Sequence, residues 1–355
     1  MAVYGTRDGC FLGCGSNACA RRFSSSLRCV TSSYLSHGQK KRLDFDLVRT
    51  QNASEMSLLR WNGTIIDEQE ICMRTELDCI PCFFRQALVA ARRVCPDDVK
   101  IQTQALSRLA EMVPLFDLHQ SPPALAGKLY AMLRELTGQD DPFVEEKKQA
   151  NARVLELLPE LASIVRQSTD PLKTALEISI VGNYMDCGVG VEFDWESELQ
   201  QLGGAFDQDT LAAFRERLKP ESQVLIVGDN AGEIGLDRLL VKELLVAGAR
   251  VTYAVRGQSI LNDATLEDAE AVGMTDLCRV VSSGVDTPGA VLERCLPEFH
   301  SMLHSADVVI AKGQGNYEAL AGSGLDVFFA FKVKCPVVAR LAGLPEKTSA
   351  FFHQR

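Results

Sequence analysis

Two turns, GDNAGEIGLD (228–237) and RGQSILNDAT (256–265), each follow an apolar run and each set carboxylate and carboxamide side chains next to one another. Asp229 with Asn230 in the first, and Asn262 with Asp263 in the second, are hard oxygen donors suited to magnesium, manganese, cobalt or nickel rather than to thiolate-seeking ions. If the preceding strands are parallel neighbours, the turns meet at one sheet edge and outline a metal site. Glu233, one helical turn past Asp229, could orient a water or a ligand. Asp and Asn are also common helix caps, so the first turn alone reads as readily as a cap.

A third turn, KGQGNYEAL (312–320), again ends an apolar run and brings together an ammonium, two glycines and a carboxamide. Lys312 beside glycine-freed backbone amides is a phosphate cradle in outline. Arg256 at the head of the second turn could hold a further anionic group, or could equally be a solvated turn arginine. The glycines of the first turn, Gly228, Gly232 and Gly235, also allow a dinucleotide reading, although the spacing is GxxxGxxG rather than GxGxxG. That second class, a nucleotide- or S-adenosylmethionine-binding protein or methyltransferase, needs an acid at the end of the next strand to clasp ribose. Val255-Arg256-Gly257 stand there instead.

The elements that carry these turns have two textures. From residue 75 to about 218 the apolar spacing is helical: 83–94, 101–113, 124–136, 145–161 and 171–186. After Lys219-Pro220, short β-branched runs alternate with helical stretches that stop at Gly248 and Gly273. Strands are predicted at 223–228, 250–255, 279–283, 306–312, 327–332 and 336–339. Strand and helix in alternation imply an α/β domain with a mostly parallel sheet covered on both faces, with ligands at the carboxyl ends of the strands. The division expected is an extension over 1–72, a helical region over 73–218 and the α/β domain over 219–355.

The formal net charge of −10 and a pI near 5.2 disfavour nucleic acid and anionic membrane as partners. No apolar run reaches the roughly 18–20 residues of a bilayer span. Twelve cysteines in 355 residues, several inside apolar runs, suit a reducing cytoplasm better than a disulfide framework. The first 43 residues are arginine- and serine-rich with a single acid, Asp8, which resembles a transit peptide, but cysteines and glycines interrupt any amphipathic helix. The expectation is an unstructured or non-native extension, with the globular chain opening at Met73. Cys79 and Cys82 form a CxxC leading into a helix; they either find further ligands such as Cys187 or a histidine, or pack as small hydrophobes.

MRTELDCIPCFFRQAL, GNYMDCG (182–188), GDNAGEIGLD, RGQSILNDAT and KGQGNYEAL, in that order, closely resemble the DUF89 family of metal-dependent damage-control phosphatases, in its prokaryote-type branch with an early CxxC. The likeness runs from Met73 to about Gly343. It implies a helical region packed on a Rossmann-like domain, and a hydrolase acting on small phosphorylated metabolites such as sugar phosphates or damaged cofactor fragments. Carried over by motif, the family's metal ligands fall on Asp229, Asn230 and Asp263, and its phosphate-contacting lysine on Lys312, with Gly315 and Asn316 alongside. Asn183 and Asp186 match its GNxxD turn, expected to border the pocket from the helical side. The mechanism implied is in-line attack of a metal-activated water. Lys312 and the helix-start amides after Asn230 then stabilise the phosphoryl oxygens, with Asp229 or Glu233 as general base. No motif speaks to oligomeric state.

Overall fold

The strands that carry the three turns lie side by side at the centre of one sheet. The computed structural model describes residues 73–181 and 206–355 with their side chains, and, before them, the backbone of four strands. These four, β1 (Val30–Ser36), β2 (Gln39–Val48), β3 (Leu58–Trp61) and β4 (Thr64–Ile66), pair antiparallel in chain order within the segment set apart above as an extension. They belong to a unit, Met1–Glu68, separate from Gln69–Arg355.

In the larger unit the sheet has six strands: β5 (Gln223–Val227), β6 (Arg250–Val255), β7 (Arg279–Ser282), β8 (Val308–Lys312), β9 (Val327–Lys332) and β10 (Ser349–Gln354). Their order is β10-β9-β8-β5-β6-β7, all parallel except the β10 edge. The chain therefore builds outward from β5 to β7 on one side, then returns to β8 on the other. That reversal makes the carboxyl ends of β5 and β8 the crevice where ligands bind in such sheets.

Alternation along the strands feeds two cores. Val224 and Ile226 of β5, Tyr253 of β6, Ile310 of β8 and Phe328 of β9 face one layer, made of α4 (Val144–Gln167), α5 (Pro171–Val181), α6 (Gln208–Arg217), α7 (Glu233–Val246) and α8 (Leu266–Ala271). Leu225 and Val227, Ala254, Val309 and Phe329 face the other, made of α9 (Pro297–Ser305), α10 (Gln314–Leu320) and α11 (Pro336–Ala342). Strands buried on both faces read as continuous apolar runs, which is why the sequence showed them. The helices α1 (Cys79–Val94), α2 (Val99–Met112) and α3 (Pro122–Thr137) enclose a third core around Leu109, Leu125 and Leu129.

One expected strand is a helix. Residues 336–339 open α11: Pro336 sits in its first turn, the Cys335 thiol accepts the Val338 N–H, and left-handed Gly343 ends it. A short β-branched run cannot by itself distinguish a strand from a buried helix face. The edge strand β10 went unread for the opposite reason, because its polar residues lack a clean alternation.

Candidate active site

In-register pairing of β5 with β6, with Val227 opposite Ala254, brings their two turns out level with one another. The turns then stay bonded beyond the sheet. The Ala231 N–H donates to the Asn262 carbonyl and the Ala264 N–H to the Asp229 carbonyl, both at 2.8 Å, and Asn230 and Asp263 form an isolated antiparallel bridge. Backbone hydrogen bonds thus place Asp229, Asn230 and Asp263 against one another, each at most 7% exposed.

Two buried cations thread this cluster. Arg256, 2% exposed, donates from Nε to Asp263 Oδ2 at 2.6 Å, from Nη2 to Asp229 Oδ1 at 3.2 Å and from Nη1 to Asn316 Oδ1 at 3.0 Å. Lys312, fully buried at the end of β8, donates to Glu233 Oε1 at 2.5 Å, Asp237 Oδ1 at 2.7 Å and the Ser179 carbonyl at 2.9 Å. The Tyr253 hydroxyl donates to the other Asp237 oxygen at 2.6 Å.

Four buried carboxylates, Asp229, Glu233, Asp237 and Asp263, crowd around Arg256 and Lys312. Burial and the proximity of like charges raise carboxylate pKa values. Burial, then Asp263 and Glu233, push Asp229 well above the usual carboxylate range against the pull of Arg256 and Lys334. Burial, with Glu233 adding to it, lifts Asp237 to about 6 although Lys312 and Tyr253 oppose the rise. For Lys312 burial works downward, yet Asp237 and Glu233 keep it above an ordinary lysine.

The donor set fits a hard cation. Among the described residues no three or more His, Cys, Asp or Glu side chains group so as to hold a metal ion; the oxygen donors that meet here are the Asp229 and Asp263 carboxylates and the Asn230 amide. Gly313 makes the room. Its φ is +79°, and a Cβ there would lie 1.9 Å from Asp229 Oδ2. Carboxylate and turn can lie this close only at glycine.

The profile of the damage-control phosphatase ARMT1-like domain matches residues 75–349, nearly all of the larger unit. The chain belongs to that family. It is 31% identical over 281 residues to a damage-control phosphatase of Pyrococcus horikoshii, covering 77% of this chain and 96% of that protein. It is 32% identical over 271 residues to one of Archaeoglobus fulgidus, covering 75% and 94%. The crystal structure of a DUF89 family protein from P. horikoshii superposes with a TM-score of 0.71 at 28% identity, over 80% of this chain and all of that one. Membership in a family of phosphatases supports phosphatase activity, and the α/β fold is the one this resemblance implied.

Several damage-control phosphatase motif residues stand differently from their expected roles. Lys312 does not face an open phosphate cradle: an ammonium has three N–H donors, and all three are engaged by protein acceptors. Arg256 is neither solvated nor turned outward; it is a strut behind both aspartates. Asn316, 0% exposed, accepts from Arg256 and from the Ala290 N–H and donates to the Gly228 and Lys312 carbonyls. Gly315 packs against the Pro288 carbonyl, which a Cβ would strike at 1.7 Å. The helix-start amides are also engaged, Ala231 N–H by Asn262 and Gly232 N–H by Asn151 Oδ1 at 2.7 Å. Glu233 is held by Lys312 and Asn230. Asn183, Asp186 and Cys187 lie outside the described residues.

Cys79 and Cys82 are free thiols; burial pushes Cys79 up to about 11, and it packs on the core that includes Val337 and Val338, the behaviour of a small hydrophobe. Residues that the motifs did not assign are Gly313, Asp237, Lys334 and Asn151. Asp237 was findable, because it follows Glu233 by four residues and so shares its helix face. Asn151 carried no such sign, lying far off in α4. Among the described residues no helix is long and apolar enough to cross a membrane.

Proposed function

We propose that this chain is a metal-dependent phosphoric monoester hydrolase of small phosphorylated metabolites, with Asp229, Asn230 and Asp263 holding the ion. The convergence of Asp229, Asn230 and Asp263 at the carboxyl ends of β5 and β6, fixed by backbone hydrogen bonds between their two turns, carries this reading. A divalent ion bound there supplies Lewis acidity and makes water a competent nucleophile near neutral pH. Manganese, magnesium, cobalt and nickel all suit an oxygen donor set.

The chain's own groups divide the remaining work. Arg256 fixes one oxygen of each aspartate, so both carboxylates are oriented before substrate arrives. Asp229 Oδ2, the oxygen that Arg256 leaves, accepts the Asn230 amide at 2.9 Å, so this carboxylate is oriented at both oxygens. Glu233 accepts from Lys312 and aligns the Asn230 amide. Lys334 is exposed and its charge reaches Asp229, so it adds positive potential for a substrate's negative charge.

Phosphate release from a panel of phosphorylated metabolites and from p-nitrophenyl phosphate, before and after chelation, tests this. Activity should vanish with chelator and return with manganese, cobalt, nickel or magnesium. Asp263→Ala should keep its fold and lose both metal and turnover. Hydrolysis indifferent to chelator, or undiminished in Asp263→Ala, sinks the assignment.

A further inference from the structure

The two ligand-bearing turns are tied a second time, from outside the sheet, by groups that take no part in the site itself. Asn151 projects from α4 and is 3% exposed. Its Oδ1 accepts the Gly232 N–H at 2.7 Å, two residues past Asn230, and its Nδ2 donates to Asp268 Oδ1 at 3.0 Å. Asp268 Oδ2 accepts from both the N–H and the hydroxyl of Thr265 at 2.9 Å, two residues past Asp263. Lys147, one helical turn before Asn151, closes on the same oxygen at 3.0 Å and on Asp141 at 2.9 Å. An unbroken line of hydrogen bonds thus runs from the first turn to the second through one buried amide and one buried carboxylate.

We propose that Asn151 and Asp268 are positioning residues that set the separation of the Asp229-Asn230 and Asp263 turns, and through it the affinity for the divalent ion. This rests on the metal-site reading above. The carboxamide meets both demands on Asn151, an acceptor toward Gly232 and a donor toward Asp268. Leucine, branched at the same carbon, satisfies neither. Ordering two loops around an ion costs binding energy unless folding has already ordered them, and groups behind metal ligands commonly govern affinity by about 10–100-fold. The tie also gives the helical region a stated task, since α4 reaches both turns at once.

The test is direct Mn²⁺ binding to the metal-stripped full chain, read as free Mn²⁺ by electron paramagnetic resonance, with near-UV circular dichroism reporting the fold. Asn151→Leu should raise the Kd at least about 10-fold while staying folded. Asp268→Ala should do the same, and so, to a smaller extent, should Asp268→Asn, whose single oxygen can face Asn151 or Thr265 but not both and leaves an NH2 against the other donor; this pair decides the matter if Asn151→Leu does not fold. Folded variants that bind Mn²⁺ as the parent does, with only the melting temperature lowered, overturn the positioning role. In that case loss of binding in Asp263→Ala leaves the metal site standing, whereas an Asp263→Ala that binds as the parent does removes the site and the clasp together.

Discussion

Adding one methyl group at Gly313 should disable the site without unfolding the protein. In Gly313→Ala the new Cβ would sit 1.9 Å from Asp229 Oδ2 and 2.1 Å from its Cγ. Carbon and oxygen in ordinary contact stay about 3.3 Å apart, so the carboxylate must retreat by more than ~1 Å. Misplacing a catalytic group by about 1 Å costs on the order of 100-fold in rate. With φ +79° and ψ 156°, Gly313 lies in a region essentially reserved for glycine, so a residue with a Cβ adds roughly 1–3 kcal/mol of strain. Gly138→Ala is the control for backbone strain alone. Gly138 has φ +67° and ψ 16°, left-handed helical, with nothing within 4 Å of the added carbon, so it carries strain without a clash. Phosphate release and urea denaturation should show both variants destabilised, Gly313→Ala the more, with kcat/KM reduced about 100-fold only in Gly313→Ala. Equal activity in the two would mean that Asp229 has no part in the reaction at the place where the structure puts it.

Lys312→Met should act on stability before binding: it leaves Glu233 and Asp237 buried without their shared ammonium, a loss of about 3–5 kcal/mol in denaturant melts, whereas a lysine that only met phosphate would raise KM and leave stability alone. Asp326 is held down to about 2: burial works upward, but hydrogen bonds and charge from Arg217 and His353 outweigh it. Because its folded pKa lies below its unfolded one, its stabilisation is present above about pH 4 and is lost as pH falls toward 2. Asp326→Asn should therefore melt lower than the parent at pH 7, with the gap closing in acid; a gap independent of pH would discount the pairing. Phe214→Ala removes a fully buried ring that meets Phe328 at 5.3 Å and Phe351 at 5.4 Å and should cost about 3–5 kcal/mol with no change in KM, as calorimetry and steady-state kinetics would show.

Sequence alone determined the five parallel strands and the three turns that end β5, β6 and β8, though not α11 or the β10 edge, because residues buried on both faces must be apolar and the turns between them must be polar. It also brought Asp229, Asn230 and Asp263 together on paper, since adjacent parallel strands in register deliver their following turns to one edge. What it left undecided was which polar groups remain available to a ligand. Lys312, Asn316 and Arg256 have the residue types of anion binders, yet their donors are occupied by Glu233, Asp237, the Gly228 carbonyl, Asp229 and Asp263. A motif records which groups are present; hydrogen-bond partners chosen across the fold decide which are already satisfied. The same holds for Gly313, whose constraint is a carboxylate from another strand, and for Asn151, which matters only because α4 packs where both turns end.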